Sequence, residues 1–181
     1  MIHLELNESN FALVDLKIKE APQKVMFVTS RALNRTIAMT KTRQTKDAKS
    51  KYTLLNSLYA GGISVLKANP GNLMASVNAK GAPISLEHFK VSSKKRGNRK
   101  RLTVEVKKGE SKSLGDAFIG YSNKATVFQR LGAERVPLKQ LFGPSLPQIL
   151  GETSILEQLT IFTNDKFNER FEHEFMFEFN K

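Results

Sequence analysis

Pro137, Pro144 and Pro147 crowd one short stretch, Val136-Pro-Leu-Lys-Gln-Leu-Phe-Gly-Pro-Ser-Leu-Pro-Gln-Ile-Leu-Gly151. Each proline fixes φ and lacks an N–H donor, so none belongs inside a helix. Leu138, Leu141, Phe142, Leu146, Ile149 and Leu150 are nevertheless too apolar for a free loop. The two demands meet in a rigid connector over 136–151, pinned to the core by its leucines and phenylalanine. Gly143-Pro144 makes its central corner. Leu141, Phe142, Gly143, Pro144 and Pro147 then act as a structural clamp between a sheet and the last helix, with Phe142 buried.

The rest of the chain divides by periodicity. Ile2, Leu4 and Leu6 alternate with His3 and Glu5 as in a short half-buried strand. Asn7-Glu-Ser-Asn10 offers caps for a short helix with Phe11, Val14 and Ile18 on one face. Pro22 suits the first turn of a longer helix running to about Lys49. Its core stripe holds Val25, Val28, Ala32, Thr36 and Met39, widened by Met26, Leu33 and Ile37; its outer face is basic, with Arg31, Arg35 and Arg43 among others. A short helical turn over Tyr52–Tyr59 ends at Gly61-Gly62. Strands follow at Ile63–Ala68 and Leu73–Ala79 around Asn69-Pro-Gly-Asn72, which favours a type II turn. Ile84–Val91 is weakly extended, Leu102–Lys107 alternates well, and Ala117–Tyr121 with Ala125–Leu131 forms a hairpin closed around Ser122-Asn-Lys124. Apolar residues from Ile155 to Phe179 mark a closing helix whose other face, Glu152, Glu157, Asp165, Glu169, Glu172, Glu174 and Glu178, is acidic. The expected fold is α+β: one antiparallel sheet of about five strands with the long N-terminal helix and the C-terminal helix packed against it.

With 181 residues, 40% hydrophobic and 25% charged, the chain is most simply one ordered domain, 1–181. No apolar run approaches the ~20 residues of a membrane span, and no signal peptide is read at the N-terminus. The absence of cysteine excludes thiolate and disulfide chemistry and fits assembly in a reducing cytoplasm. The net charge of +12 asks for a negative partner: nucleic acid, an anionic surface or acidic proteins. Its densest source is the run Ser92–Arg101, whose Lys94, Lys95, Arg96, Arg99, Lys100 and Arg101 must stay solvated as a loop or arm. Such a run grips phosphates independently of sequence, or pairs with acidic protein neighbours. No aromatic residue within it offers base stacking. The opposition of a basic middle to an acidic C-terminus suits head-to-tail contact between identical subunits, which closes as a ring when the rotation allows.

Nothing in the spacing recommends an enzyme. His3, His88 and His173 lie on separate elements without metal-ligand spacing, and neither a phosphate-binding Gly-rich loop nor a Gly-x-Ser-x-Gly elbow occurs. No cofactor or metal is expected.

Five motifs, taken in order, carry a resemblance across nearly the whole chain. They are Ser30-Arg-Ala-Leu-Asn-Arg-Thr36, Pro83-Ile-Ser-Leu-Glu-His-Phe89, Gly115-Asp-Ala-Phe-Ile119, Val127-Phe-Gln-Arg130 and Leu141-Phe-Gly-Pro-Ser-Leu-Pro-Gln148. In wording, order and spacing they resemble the phage minor tail protein Z (tail completion) family. Asp116 and the aromatic crowding of Phe171, Phe175, Phe177 and Phe179 depart from that pattern. The resemblance implies a structural virion protein of a tailed bacteriophage at the neck, the head-proximal end of the tail, serving tail completion and head–tail joining. Its implied partners are itself, in a ring of sixfold or multiple symmetry, the tail tube, terminator or connector proteins, and the DNA end. Assembly would take place in the host bacterial cytoplasm, without a membrane. The residues themselves also allow a cytoplasmic nucleic-acid-binding protein that uses the basic loop and helix.

Overall fold

The computed structural model of the chain describes Ile2 and residues 4–92, 102–121 and 125–180. The described residues form the α-helices α1 (Glu8–Ile18), α2 (Pro22–Lys51), α3 (Asn56–Gly62), α4 (Leu146–Leu150) and α5 (Thr153–Phe179). The strands are β1 (Ile63–Leu66), β2 (Ser76–Ala79), β3 (Pro83–Ser85), β4 (Lys90–Val91), β5 (Thr103–Glu105), β6 (Ser111–Ser113), β7 (Ala117–Tyr121), β8 (Ala125–Arg130), β9 (Leu138–Gln140) and β10 (Phe142–Ser145). The α+β class holds, but the expected single sheet of about five strands does not. Among the described residues the strands form small sheets, β1-β2, β10-β3, β4-β5-β6 and β7-β8-β9. The strands are short, from two residues in β4 to six in β8, and Gly109 turns the chain between β5 and β6. The chain divides into two compact units, one built from Met1–Lys46, Ile63–Asn78 and Gly151–Lys181, the other from Asp47–Gly62 and Ala79–Leu150.

In the first unit the stripe of α2 meets α5, not a sheet. Val28 and Ala32 pack with Phe167, Phe171 and Phe175, and Leu4, Leu6, Leu13, Val14, Leu33 and Phe179 close around them. Spacing of four residues stacks the rings along one side of α5, with centroids 6.1, 5.9 and 4.5 Å apart from Phe167 to Phe179. Ala32 is the small residue that lets this ladder approach the α2 backbone. Each fully buried ring contributes roughly 1.5–3 kcal/mol. A second long helix thus supplies the cover expected from strands.

Among the described residues, Ile2 and residues 4–7 join no strand, which corrects the strand expected at Ile2–Leu6. Asparagines of α5 serve their backbone instead. Glu5 N donates to Asn164 Oδ1 (3.0 Å), Asn168 Nδ2 donates to Glu5 O (2.9 Å), and Asn7 N donates to Asn168 Oδ1 (2.8 Å). Asn7 caps α1, its side chain accepting from Asn10 N at 2.9 Å. Asn10 Nδ2 in turn donates to Asn168 O at 3.0 Å and is buried. That contact rotates α1: Leu13 and Val14 turn inward, while Phe11 and Ile18, expected on the core face, are exposed.

Asn34 on α2 fixes the β1–β2 connection, donating to Ala68 O and accepting from Ala68 N, both at 2.8 Å. The turn at Asn69–Asn72 forms, but Gly71 does not take the positive φ of type II. Asn69 Oδ1 accepts from Gly71 N and Asn72 N (2.9 and 2.8 Å) and selects the other geometry.

In the second unit α3 contains Gly61-Gly62 rather than stopping before them, and Lys80 N donates to Gly62 O at 2.9 Å. The β7–β8 hairpin forms with Phe118 opposite Phe128 and Ile119 opposite Val127, and β9 adds to β8. β6 is wholly exposed and polar, so no alternation announces it; Gly109, at φ 84°, turns the chain back onto β5.

The connector 136–151 is more regular than its prolines suggest. Gly143-Pro144 lies within β10 instead of forming a corner, and the β10–β3 register shifts between Phe142 and Ser145, where a residue without N–H is tolerated. Pro147 is the second residue of α4, in the first turn where no N–H bond is lost. Leu146, Ile149 and Leu150 are buried, Leu141 and Pro147 half-buried. Phe142 is 52% exposed, contrary to expectation. Alternation along β10 turns its ring outward, and Gly143 rests against Phe89.

Candidate functional site

Lys94, Lys95, Arg96, Arg99, Lys100 and Arg101 lie outside the described residues, as do His3 and the hairpin turn at 122–124. The base from which the basic run leaves is described. β4 and β5 are antiparallel, with Lys90 opposite Glu105 and Val91 opposite Val104. Beyond them Ser92 N donates to Thr103 O (2.9 Å) and Thr103 N donates to Ser92 Oγ (3.0 Å). The run therefore joins two adjacent strands at a hydrogen-bonded base.

Further cations lie on and beside this sheet, Lys107 and Lys108 between β5 and β6 and Lys112 on β6, too scattered in sequence to form a run. Lys108 and Lys112 are exposed, and Lys107 Nζ lies 5.7 Å from the centre of the Tyr52 ring. A cavity of about 340 Å³ is lined by Tyr52, Val104, Val106, Lys107, Glu110, Lys112 and Pro144. Glu105 is the local counter-charge. Lys90 Nζ at 2.7 Å, then Gly109 N donating at 2.8 Å, hold its carboxyl below the usual carboxylate range.

On α2 the expected basic face is partly committed. Arg31 Nη2 and Arg35 Nε reach the two carboxylate oxygens of Glu174 at 2.7 and 2.8 Å, and Arg31 Nη1 lies 3.3 Å from Glu178. Glu174 is 1% exposed, which corrects its place on a wet acidic face. A carboxylate so far from water requires paired cations, and the two arginines one turn apart supply them. Arg43 sits 5.3 Å over the Phe162 ring. Glu157, Asp165, Glu169 and Glu172 remain exposed on α5.

His88 is half-buried and His173 exposed. Among the described residues no three His, Asp or Glu side chains gather as a metal ion requires, and no helix is long and apolar enough to cross a membrane. A groove of about 330 Å³ in the first unit is lined chiefly by Ile37, Val77, Leu156 and Leu159, with Thr40 and Thr163 hydrogen-bonded to each other at 3.1 Å. The surfaces on offer are charged or apolar faces suited to binding. Compared with protein-family models, curated proteins and solved structures, the chain matches none.

Proposed function

We propose that the chain is a structural virion protein of a tailed bacteriophage, acting at the head-proximal end of the tail in tail completion and head–tail joining. The observation that carries this reading is the ordered set of five motifs resembling the minor tail protein Z family. Where those motifs fall supports it. Ala32 and Thr36 are buried in α2, Asn34 holds the β1–β2 connection, and Arg35 pairs with Glu174. Leu86 and Phe89 are core residues, Ile119 and Val127 face each other in the hairpin, and Leu146 anchors the connector. Motifs spent on scaffold suit a protein whose task is to hold a shape. Copies would assemble as a ring, sixfold or a multiple, meeting tail-tube, terminator or connector proteins and the DNA end.

The test is direct. Purified virions of the phage that encodes the chain should contain it at the neck, seen by mass spectrometry and immunolabelling. Particles lacking it should accumulate tails that fail to join heads. Absence from purified virions would end the reading. One observation favours a second reading, a cytoplasmic nucleic-acid-binding protein: the basic run joins β4 to β5, and the same sheet region carries Lys107 and Lys108 between β5 and β6 and Lys112 on β6. Steeply salt-dependent, sequence-independent DNA binding by the isolated protein would support that reading instead.

A further inference from the structure

β6 is the outer strand of its sheet, and its far edge is open. Val104 lies opposite Lys112, and two residues further on Leu114 N donates to Leu102 O at 2.8 Å. Hydrogen-bonded pairs alternate along an antiparallel ladder, so Lys112 turns its N–H and C=O toward β5, while Ser111 and Ser113 turn theirs away. The bond from Ser92 N to Thr103 O, on the other side of β5, fits the same alternation. Among the described residues β6 pairs with β5 alone, no turn or loop hydrogen bond reaches Ser111 or Ser113, and the whole strand is exposed.

A lysine on a short edge strand ordinarily wards off further pairing. This one stands beside a cavity. Cross-strand partners share a face, so the Lys112 side chain lies on the Val104 side of the sheet. Both residues line the cavity of about 340 Å³, whose remaining walls include Val106, Pro144 and Tyr52. The local charge is positive. Glu105 is held by Lys90 at 2.7 Å, and residues 107–112 set Lys107, Lys108 and Lys112 against Glu110 alone. Lys112 has no ion-pair partner among the described residues. All of these groups belong to the second unit.

We propose that this edge accepts an extended acidic segment of another protein as a fourth strand of the β4-β5-β6 sheet. The main chain of the segment bonds to Ser111 and Ser113, an acidic side chain meets Lys112, and an apolar side chain enters the cavity. Three features select that occupant. Open N–H and C=O groups along a strand match a peptide main chain, which nucleic acid does not offer. The excess of positive charge selects carboxylates over neutral or basic segments. A second copy is disfavoured, because setting Ser111 opposite Ser113 of another β6 brings Lys112 directly against Lys112. The proposal does not rest on the virion reading: it is decided on the purified chain, and that reading by the content of particles.

The probe is a fluorescein-labelled, end-blocked peptide, Thr-Glu-Thr-Leu-Thr-Glu-Thr, which reads the same in either direction and sets its glutamates and leucine on one face. Fluorescence anisotropy with the full chain should show saturable binding with a Kd below about 1 mM, the weak end suited to so small a contact. Methylating alternate amides of the peptide tests the main-chain bonds with the protein untouched: one set should abolish binding and the other should spare it. Lys112→Glu should weaken binding about fivefold and prefer the peptide with lysine in place of both glutamates. In spectra of the isotope-labelled chain, the Ser111 and Ser113 amide signals should move on binding and exchange more slowly with solvent. No saturation by about 1 mM peptide, or equal binding of both methylated sets, would overturn the proposal. So would an oligodeoxynucleotide that moves the same two amides, or a dimer of the chain that Ser113→Pro dissociates, which would give the edge to nucleic acid or to a second copy.

Discussion

Phe142 and Gly143 are neighbours in β10, and truncating the larger should matter less than enlarging the smaller. Phe142 is 52% exposed. Full burial of such a side chain contributes roughly 1.5–3 kcal/mol, so Phe142→Ala should cost about half, ~1 kcal/mol, with no closed cavity left behind. At Gly143 a methyl group would stand 2.7 Å from Phe89 Cε2, 3.1 Å from Phe89 Cζ and 3.3 Å from Leu86 Cδ2. Phe89 and Leu86 are 2% and 5% exposed, so neither can swing aside into solvent. Overpacking of this kind costs roughly 1–3 kcal/mol, and here the upper part of that range applies. Loss of glycine's freedom in the unfolded chain returns about 0.5 kcal/mol, leaving Gly143→Ala destabilised by ~2 kcal/mol. At about 2–4 °C per kcal/mol for a chain of this size, Tm should fall by ~2–4 °C for Phe142→Ala and ~4–8 °C for Gly143→Ala. Calorimetry on purified variants measures both. Adding Phe89→Leu should soften the Gly143→Ala penalty, since the two sites share one contact. A Gly143→Ala protein as stable as wild type, or less harmed than Phe142→Ala, would refute the packing argument.

Two further predictions concern buried polar groups. Removing Arg31 and Arg35 together strands the Glu174 carboxylate and should cost about 3–5 kcal/mol in chemical denaturation, whereas Glu174→Gln, which leaves two half-exposed arginines free to hydrate, should cost clearly less. Burial raises the Tyr59 hydroxyl from 10.0 to about 12. Folding therefore holds that proton more tightly than the unfolded chain does, so the stability linked to it is full below pH 10 and is lost as pH rises toward 12. Ultraviolet titration should show one of the three tyrosines ionising last, and Tyr59→Phe should remove that late step.

Where a regular period ran long, the sequence was a sufficient guide. Apart from Met26, which is 44% exposed, the α2 stripe, the α5 rings and the β7–β8 hairpin follow directly from 3.6- and two-residue spacings. Features decided by a partner distant in sequence were not legible. Asn10 looks like a cap residue, yet its amide is drawn to Asn168 and turns α1 over. Glu174 shares its spacing with wet carboxylates, and only the approach of Arg31 and Arg35 distinguishes it. β6 has no apolar alternation because neither of its faces is covered. Prolines misled in the connector, since position within a turn or at a register shift decides whether a missing N–H matters. The basic run was plain from charge alone, while its footing between Ser92 and Thr103 required the sheet.

The amide links between Asn168 and residues 5–10 span about 160 positions of chain. A ribosome adding roughly 5–20 residues per second will have exposed the apolar side of α2 for several seconds before α5 is complete. During that interval Val28 and Ala32 have no aromatic ladder to cover them, and Glu5 and Asn7 have no amides to receive them. Maturation of the first unit is therefore a late, all-at-once event in synthesis. A message cut short before Asn168 would yield a product that quality-control proteases recognise by that uncovered helix.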